Sequence, residues 1–205
     1  MSRHWITLAA LLAFGGAGTA CTRDTRTPDT SEADTAPVAA ADGVTTETPA
    51  DSGCAPAPLA DSAAGPVRLG MRVEEIVARC PGARDSSVSQ EGTRTRTLVV
   101  PVGRDTVEAS IVEGRAWRLA VATRGLRTPD SLGVGTPLAR LLALANPRGL
   151  TGEGRTFVVA DQPCGLSFEL DRFVSRAEPD TATLRREATG AVVKRVLVTG
   201  CAGAP

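Results

Sequence analysis

The sequence predicts an α+β fold: a duplicated α-β-β-β unit, its two helices packed on a mainly antiparallel sheet, preceded by a disordered tether. Three observations carry this prediction. The stretch GPVRLGMRVEEIVARCPG, from Gly65 to Gly82, returns in degenerate form as DSLGVGTPLARLLALANPRG, from Asp130 to Gly149. Each copy is followed by apolar runs separated by short glycine-containing links, the pattern of antiparallel hairpins. Composition also changes sharply along the chain: residues 1–21 are apolar, 22–60 polar and rich in Thr, Ala, Asp and Pro, and 61–205 patterned for folding.

The leader comes first. Arg3 and His4 precede the apolar run from Trp5 to Phe14, and small residues then lead into Cys21, the order of a secretory signal. The run is too short for a comfortable membrane span. Gly18-Thr19-Ala20-Cys21 resembles the lipobox of bacterial lipoproteins, which implies acylation of the Cys21 thiol and a mature chain beginning there. Ordinary secretory cleavage, which also needs small residues, is the alternative. Acyl chains at about 0.8 kcal/mol per buried methylene hold a protein on a membrane durably. The lipobox resemblance therefore implies an exported protein anchored on the extracytoplasmic side, and Thr22 after the cysteine points to the outer membrane, facing the periplasm, in a didermal cell.

Residues 22–60 follow. They hold seven acidic groups against two arginines, repeated prolines and almost no branched or aromatic side chains. Such a segment cannot bury enough apolar surface to offset its chain entropy, so it is predicted to be a linker.

The folded part is predicted over residues 61–205, in halves of about 65–128 and 129–201. In the first helix Val73, Ile76, Val77 and Cys80 fall at i, i+3, i+4 and i+7, one helical face; Leu138, Leu141, Leu142 and Ala145 repeat it in the second. Thr136 is predicted to cap the second helix, with Pro137 at its first position. Strands are expected at 93–102, 106–112 and 116–123, with Pro81, Gly82, Asp85 and Ser86 in a polar connection before them. In the third, Trp117, Leu119 and Val121 are expected to face the core. The second half is expected to place strands at 155–160, 164–170 and 191–199, with a short helix near 182–187.

Four cysteines remain beyond Cys21, an even number that favours disulfides in an exported chain. Cys164 precedes one predicted strand and Cys201 follows another; antiparallel pairing of those strands would join them. Cys54 and Cys80 are then left for each other, although Cys80, on the core face of its helix, would serve equally as a small buried thiol. No C-x-x-C pair supports zinc.

The chemistry is defined largely by exclusion. The single histidine is His4 in the leader, so no serine–histidine triad is available to the processed chain, and no phosphate-cradling glycine motif occurs. No catalytic residue, metal site or cofactor is predicted. Glu74 with Glu75 suits a helix dipole, and Glu169 with Asp171 a solvated strand face. The folded part carries 20 basic against 16 acidic groups, which argues against nucleic acid as a partner. Arg94, Arg96 and Arg118, with Arg124 and Arg127 nearby, form a candidate ligand or partner surface on the sheet; Trp117 is expected to be a core anchor.

The phrase Arg68-Leu69-Gly70-Met71, then Glu75-Ile76 and Pro81-Gly82, with a second helix entry at Val134-Gly135-Thr136, resembles the tandem helix-plus-sheet modules of the β-lactamase-inhibitor-protein type. A related single module occurs in the outer-membrane assembly lipoprotein BamE. These features lead to the expectation of a lipid-anchored, non-catalytic envelope protein that binds another envelope protein. A small-ligand or anion binder using the arginine-bearing sheet face is the second expectation, and a carboxylate-based hydrolase the third.

Overall fold

The computed structural model describes residues 54–90 and 93–201. The leader, Cys21 and residues 22–53 of the tether lie outside the described residues. Three short strands, β1 (Leu59–Ala60), β2 (Ala63–Ala64) and β3 (Val67–Arg68), form a small antiparallel sheet. Helix α1 (Val73–Arg79) leads into β4 (Arg84–Gln90), β5 (Thr93–Val102), β6 (Asp105–Val112) and β7 (Arg115–Val121). The chain continues through α2 (Leu138–Leu141), β8 (Arg148–Gly152), β9 (Arg155–Val159), β10 (Leu166–Leu170), α3 (Thr181–Glu187) and β11 (Val193–Val198). Strands β4 to β11 make one sheet, in the order β4-β5-β6-β7-β11-β10-β9-β8, and every neighbouring pair is antiparallel. The fold class is α+β.

The plan differs from the predicted α-β-β-β in having four strands in each half. The additional strands are β4 and β8, the two edges of the sheet. Their sequences, RDSSVSQ and RGLTG, carry little apolar periodicity because they lie beyond the reach of the core. Polar edge strands also resist pairing with other chains. The outer side of β8 is covered, since Gly149 and Thr151 donate to the carbonyls of Pro179 and Ala177 at 3.2 and 2.7 Å.

The folded body also starts earlier than residue 61. Leu59 is wholly buried and its amide donates to Arg127 O at 2.9 Å, while Cys54 bonds covalently to Cys80. One apolar leucine and one crosslink thus draw the end of the predicted linker into the fold.

The core occupies one face of the large sheet. Directly opposed residues share a face, so Leu98, Ala109, Leu119, Val198 and Leu166 form one buried row, and Val100, Val107, Val121, Val196, Phe168 and Val158 the next. Buried side chains of all three helices, Ile76, Leu141 and Leu184 among them, join that same cluster. In α1 the buried stripe consists of Val73 and Ile76, continued by the C-cap residue Cys80; Val77, expected inside, sits on its flank and is 40% exposed. Helix α2 is a single turn: Asn146 adopts a positive φ of 50° before Pro147, and Asp161 N donates to Ala145 O, turning the chain towards β8. Pro137, rather than Thr136, is its N-cap residue; the Thr136 hydroxyl instead accepts from Gly133 N at 2.9 Å, closing the preceding turn.

The two helix entrances are held by matching backbone bonds. Gly70 donates to Ala116 O, Ala116 to Met71 O and Val73 to Gly114 O, at 2.7, 2.9 and 3.0 Å. Gly135 likewise donates to Val193 O, Val193 to Thr136 O and Leu138 to Ala191 O, at 2.7, 2.9 and 2.9 Å. Both entrances need glycine, with φ of 79° at Gly70 and 85° at Gly135, because a side chain is strained in the left-handed region.

Helix α3 is capped by its own N-cap side chain: Asp180 Oδ1 accepts from Thr183 N at 2.7 Å. That hydrogen bond, which favours the charged carboxylate, holds the Asp180 pKa below its ordinary value. A depressed folded-state pKa gives a contribution that is fully present above the unfolded value and is lost as pH falls through the folded one. Fraying of α3, followed by Thr183 amide exchange, is therefore expected to set in below the usual carboxylate range. In Asp180→Ala the helix end is expected to be frayed at every pH, with that acid step absent.

Candidate functional site

The face of the large sheet opposite the core carries the candidate site. The register assigns to it the row Thr97, Ser110, Arg118 and the row Val99, Glu108, Ala120, Leu197, Ser167. Leu150, Phe157, Glu169 and Arg195 form a third. Val99, Ala120, Leu197 and Phe157 are all partly exposed, so a band of moderate apolarity runs across the strands.

Trp117 belongs to this face and not to the core, a correction with a clear cause. Ser110 pairs with Arg118 but Ile111 pairs with Ala116, so a β-bulge leaves Trp117 without an opposite residue. The bulge shifts the alternation by one, turning Ala116 inward and leaving Trp117 48% exposed. The Arg118 guanidinium carbon lies 4.9 Å from the centre of the indole ring, in cation–π range. A second bulge, between Glu169 and Leu170, leaves Lys194 in the corresponding place on β11.

The predicted arginine group is dispersed. Arg96 makes a two-pronged ion pair with Asp85, Nε to Oδ1 at 2.7 Å and Nη2 to Oδ2 at 3.0 Å. This bond lowers the Asp85 pKa and raises that of Arg96. Register puts Arg96 in line with Ile111, on the core side, so it is not a neighbour of Arg118. The backbone of Arg94 pairs with Ser89 in the β4–β5 ladder, while its side chain lies outside what is described. Arg127 is engaged locally, donating to Ser131 O and Val134 O at 3.0 and 3.1 Å. Arg124 lines a cleft of about 680 Å³ with Arg104 and Lys194, two cations that sequence periodicity gave no reason to connect.

The carboxylates do not face one another across a cleft. Glu75 accepts from Arg72 N at 3.1 Å and Asp171 from Val192 N at 3.0 Å, both serving backbone amides. Glu169 is 3% exposed although it belongs to the outer face. Lys194 Nζ and Arg195 Nε lie 3.8 and 3.9 Å from its two oxygens, and Oε2 accepts no hydrogen bond.

Cys164 is bonded to Cys201 and Cys54 to Cys80, with Cα separations of 5.1 and 4.8 Å. The first bridge joins the start of β10 to the end of β11, which pair antiparallel. Asp61 lies against it, but the two sulfurs are bonded to each other and present no thiolate to a metal. Among the described residues no helix is long and apolar enough to cross a membrane.

No protein-family model matches the chain. No curated protein matches it either. Among solved structures, the crystal structure of the uncharacterized protein yfeY from Escherichia coli is similar, with 14% sequence identity and a TM-score of 0.48. The alignment covers 72% of this chain and 99% of that one.

Proposed function

We propose that the protein is an exported, lipid-anchored envelope component that binds another envelope protein, without catalysis, through the open face of its eight-stranded sheet. The observation that carries this reading is the character of that face. Buried side chains of every described helix belong to the core cluster on the other side, and the open face bears an exposed tryptophan beside an arginine above a band of Val, Ala and Leu. Tryptophan and arginine dominate the energetics of protein interfaces, and moderate apolarity is typical of their surfaces. Two disulfides accord with an oxidising compartment outside the cytoplasm.

The same reading takes the folded body to be one four-stranded unit copied and fused. The matching bonds at the two helix entrances equate Ala116 with Val193, and hence Ala120 with Leu197. Those two residues are paired with each other at the seam between β7 and β11, as a two-fold relation requires. The bulges at Trp117 and Lys194 then fall at equivalent positions, and the strand order reverses about the seam. Fusion explains why the open face is twice as wide as one unit could supply.

Affinity capture from detergent-solubilised membranes tests the proposal. The Trp117→Ala/Arg118→Ala variant is expected to lose the partner that the unaltered chain retains, with thermal unfolding little changed, since surface substitutions usually shift stability by about 0.5 kcal/mol or less. Equal recovery by both would contradict the docking face. Cys21→Ser is expected to leave the membrane fraction and lose its acyl label; retention of both would contradict the anchor.

A further inference from the structure

We propose that the notch where β7 and β11 part is a binding site for a doubly charged phosphate monoester group. The β7–β11 ladder ends at the pair Val121–Val196. Beyond it the strands diverge around Gly135, leaving the cleft of about 680 Å³. Arg104, Arg124 and Lys194 contribute to its wall, and Val134 and Val193 are among its apolar lining. The notch borders the open sheet face through Lys194, but ligand binding there does not require a docked protein.

Charge is what singles the notch out. Neither Arg104 nor Arg124 has a hydrogen-bond or ion-pair partner among the described residues. Lys194 forms an ion pair with Glu169 at 3.8 Å, beyond hydrogen-bond length, so its N–H donors remain open to a ligand. Asp105 is the one acid in the lining, and its Oδ1 already accepts from Gly125 N at 2.9 Å. The lining carries three cations against the Asp105 carboxylate, and the Glu169 partner of Lys194 is shared with Arg195, so the notch keeps a net positive charge that suits a phosphate monoester dianion. Guanidinium groups match phosphate oxygens with paired N–H donors.

The geometry looks assembled for this purpose and not demanded by the fold. Arg104 immediately precedes Asp105 and Arg124 immediately precedes Gly125, so the Asp105–Gly125 bond sets the backbone of both arginines at once. Any side chain on Gly125 would collide with the Asp105 carboxylate. In the other half, the positions equivalent to Asp105 and Arg124 are Cys164 and Cys201, which close the same junction with a disulfide. The junction therefore holds without cations, and their presence in only one half calls for a ligand.

The test uses the exported chain carrying Cys21→Ser, so that acyl anchoring does not contribute. Phenyl phosphate is titrated in while the amide resonances of Gly125 and Gly135 are followed, and sedimentation with phosphatidic acid vesicles is compared with phosphatidylcholine vesicles. Binding of phenyl phosphate supports a soluble ester; binding confined to phosphatidic acid supports a lipid headgroup with the same chemistry. Arg104→Gln/Arg124→Gln is expected to weaken binding by about tenfold or more, as loss of charged hydrogen bonds implies. Lys194→Gln, at a side chain that is 62% exposed, is a second variant expected to weaken it, with Arg195 still facing Glu169. Arg148→Gln, outside the notch, is expected to bind normally. Absence of binding to any of these probes, or undiminished binding by the substituted notch, would overturn the proposal.

Discussion

Replacing Phe168 with alanine is expected to destabilise the folded body by about 3 to 5 kcal/mol, the range for removing a large aromatic from a core. Phe168 is wholly buried in β10, opposite Val196 on one side and Val158 on the other. It is the largest side chain among the most deeply buried, in a chain otherwise poor in aromatics, so no neighbour of similar size can fill the space it leaves. Domains of this size hold only about 5 to 15 kcal/mol in total, so the variant should unfold at a much lower urea concentration. Phe157→Ala provides the comparison. Phe157 is adjacent to Phe168 in the ladder scheme but faces the other side and is partly exposed, so its truncation is expected to shift the midpoint far less. Equal shifts would contradict a core on the Phe168 face of the sheet.

Removal of the Cys164–Cys201 bridge, as Cys164→Ala/Cys201→Ala, is expected to cost about 2 to 4 kcal/mol. The bridge spans 37 residues of sequence and fastens β10 to β11, inside the large sheet. The Cys54–Cys80 bridge spans 26, and loop-closure entropy differs little between such lengths. Location separates their effects. Cys54–Cys80 ties the first described residue to the end of α1, so its loss is expected to free that segment locally, with rapid amide exchange around Leu59 and in α1. Loss of Cys164–Cys201 is expected to lower the global unfolding midpoint. Indistinguishable exchange patterns for the two variants would contradict this division.

Much of the architecture could be read from the chain because the core leaves a periodic trace. The Gly-entry followed by apolar residues marks α1, and Leu166, Phe168 and Leu170 mark the inner face of β10. The failures lie where that trace is interrupted. Strands β4 and β8 are at the sheet's edges, where side chains meet water and alternation disappears. Alternation alone puts Trp117 inside, whereas a bulge, invisible in a single sequence, reverses the alternation between Ala116 and Leu119. Helix α2 is shorter than apolar spacing suggests because Asn146, in a left-handed conformation, and the Asp161–Ala145 bond turn the chain early.

The candidate site was less legible for a related reason. Arg94, Arg96 and Arg118 look alike in sequence, but register separates Arg96 from Arg118, and Asp85 neutralises Arg96. Arg104, Arg124 and Lys194 belong to three different segments and meet only because β7 pairs with β11 across the seam. Long-range strand pairing of this kind has no local signature.

The central functional claim is that a partner protein lies against the open sheet face. It is tested most directly by placing a photo-crosslinking amino acid at Trp117, on that face, and separately at Val77, exposed on α1 in the opposite layer. Irradiation of intact cells is predicted to give a discrete crosslinked protein from position 117 and none from position 77. A discrete product from position 77 alone, or from neither position, would contradict it.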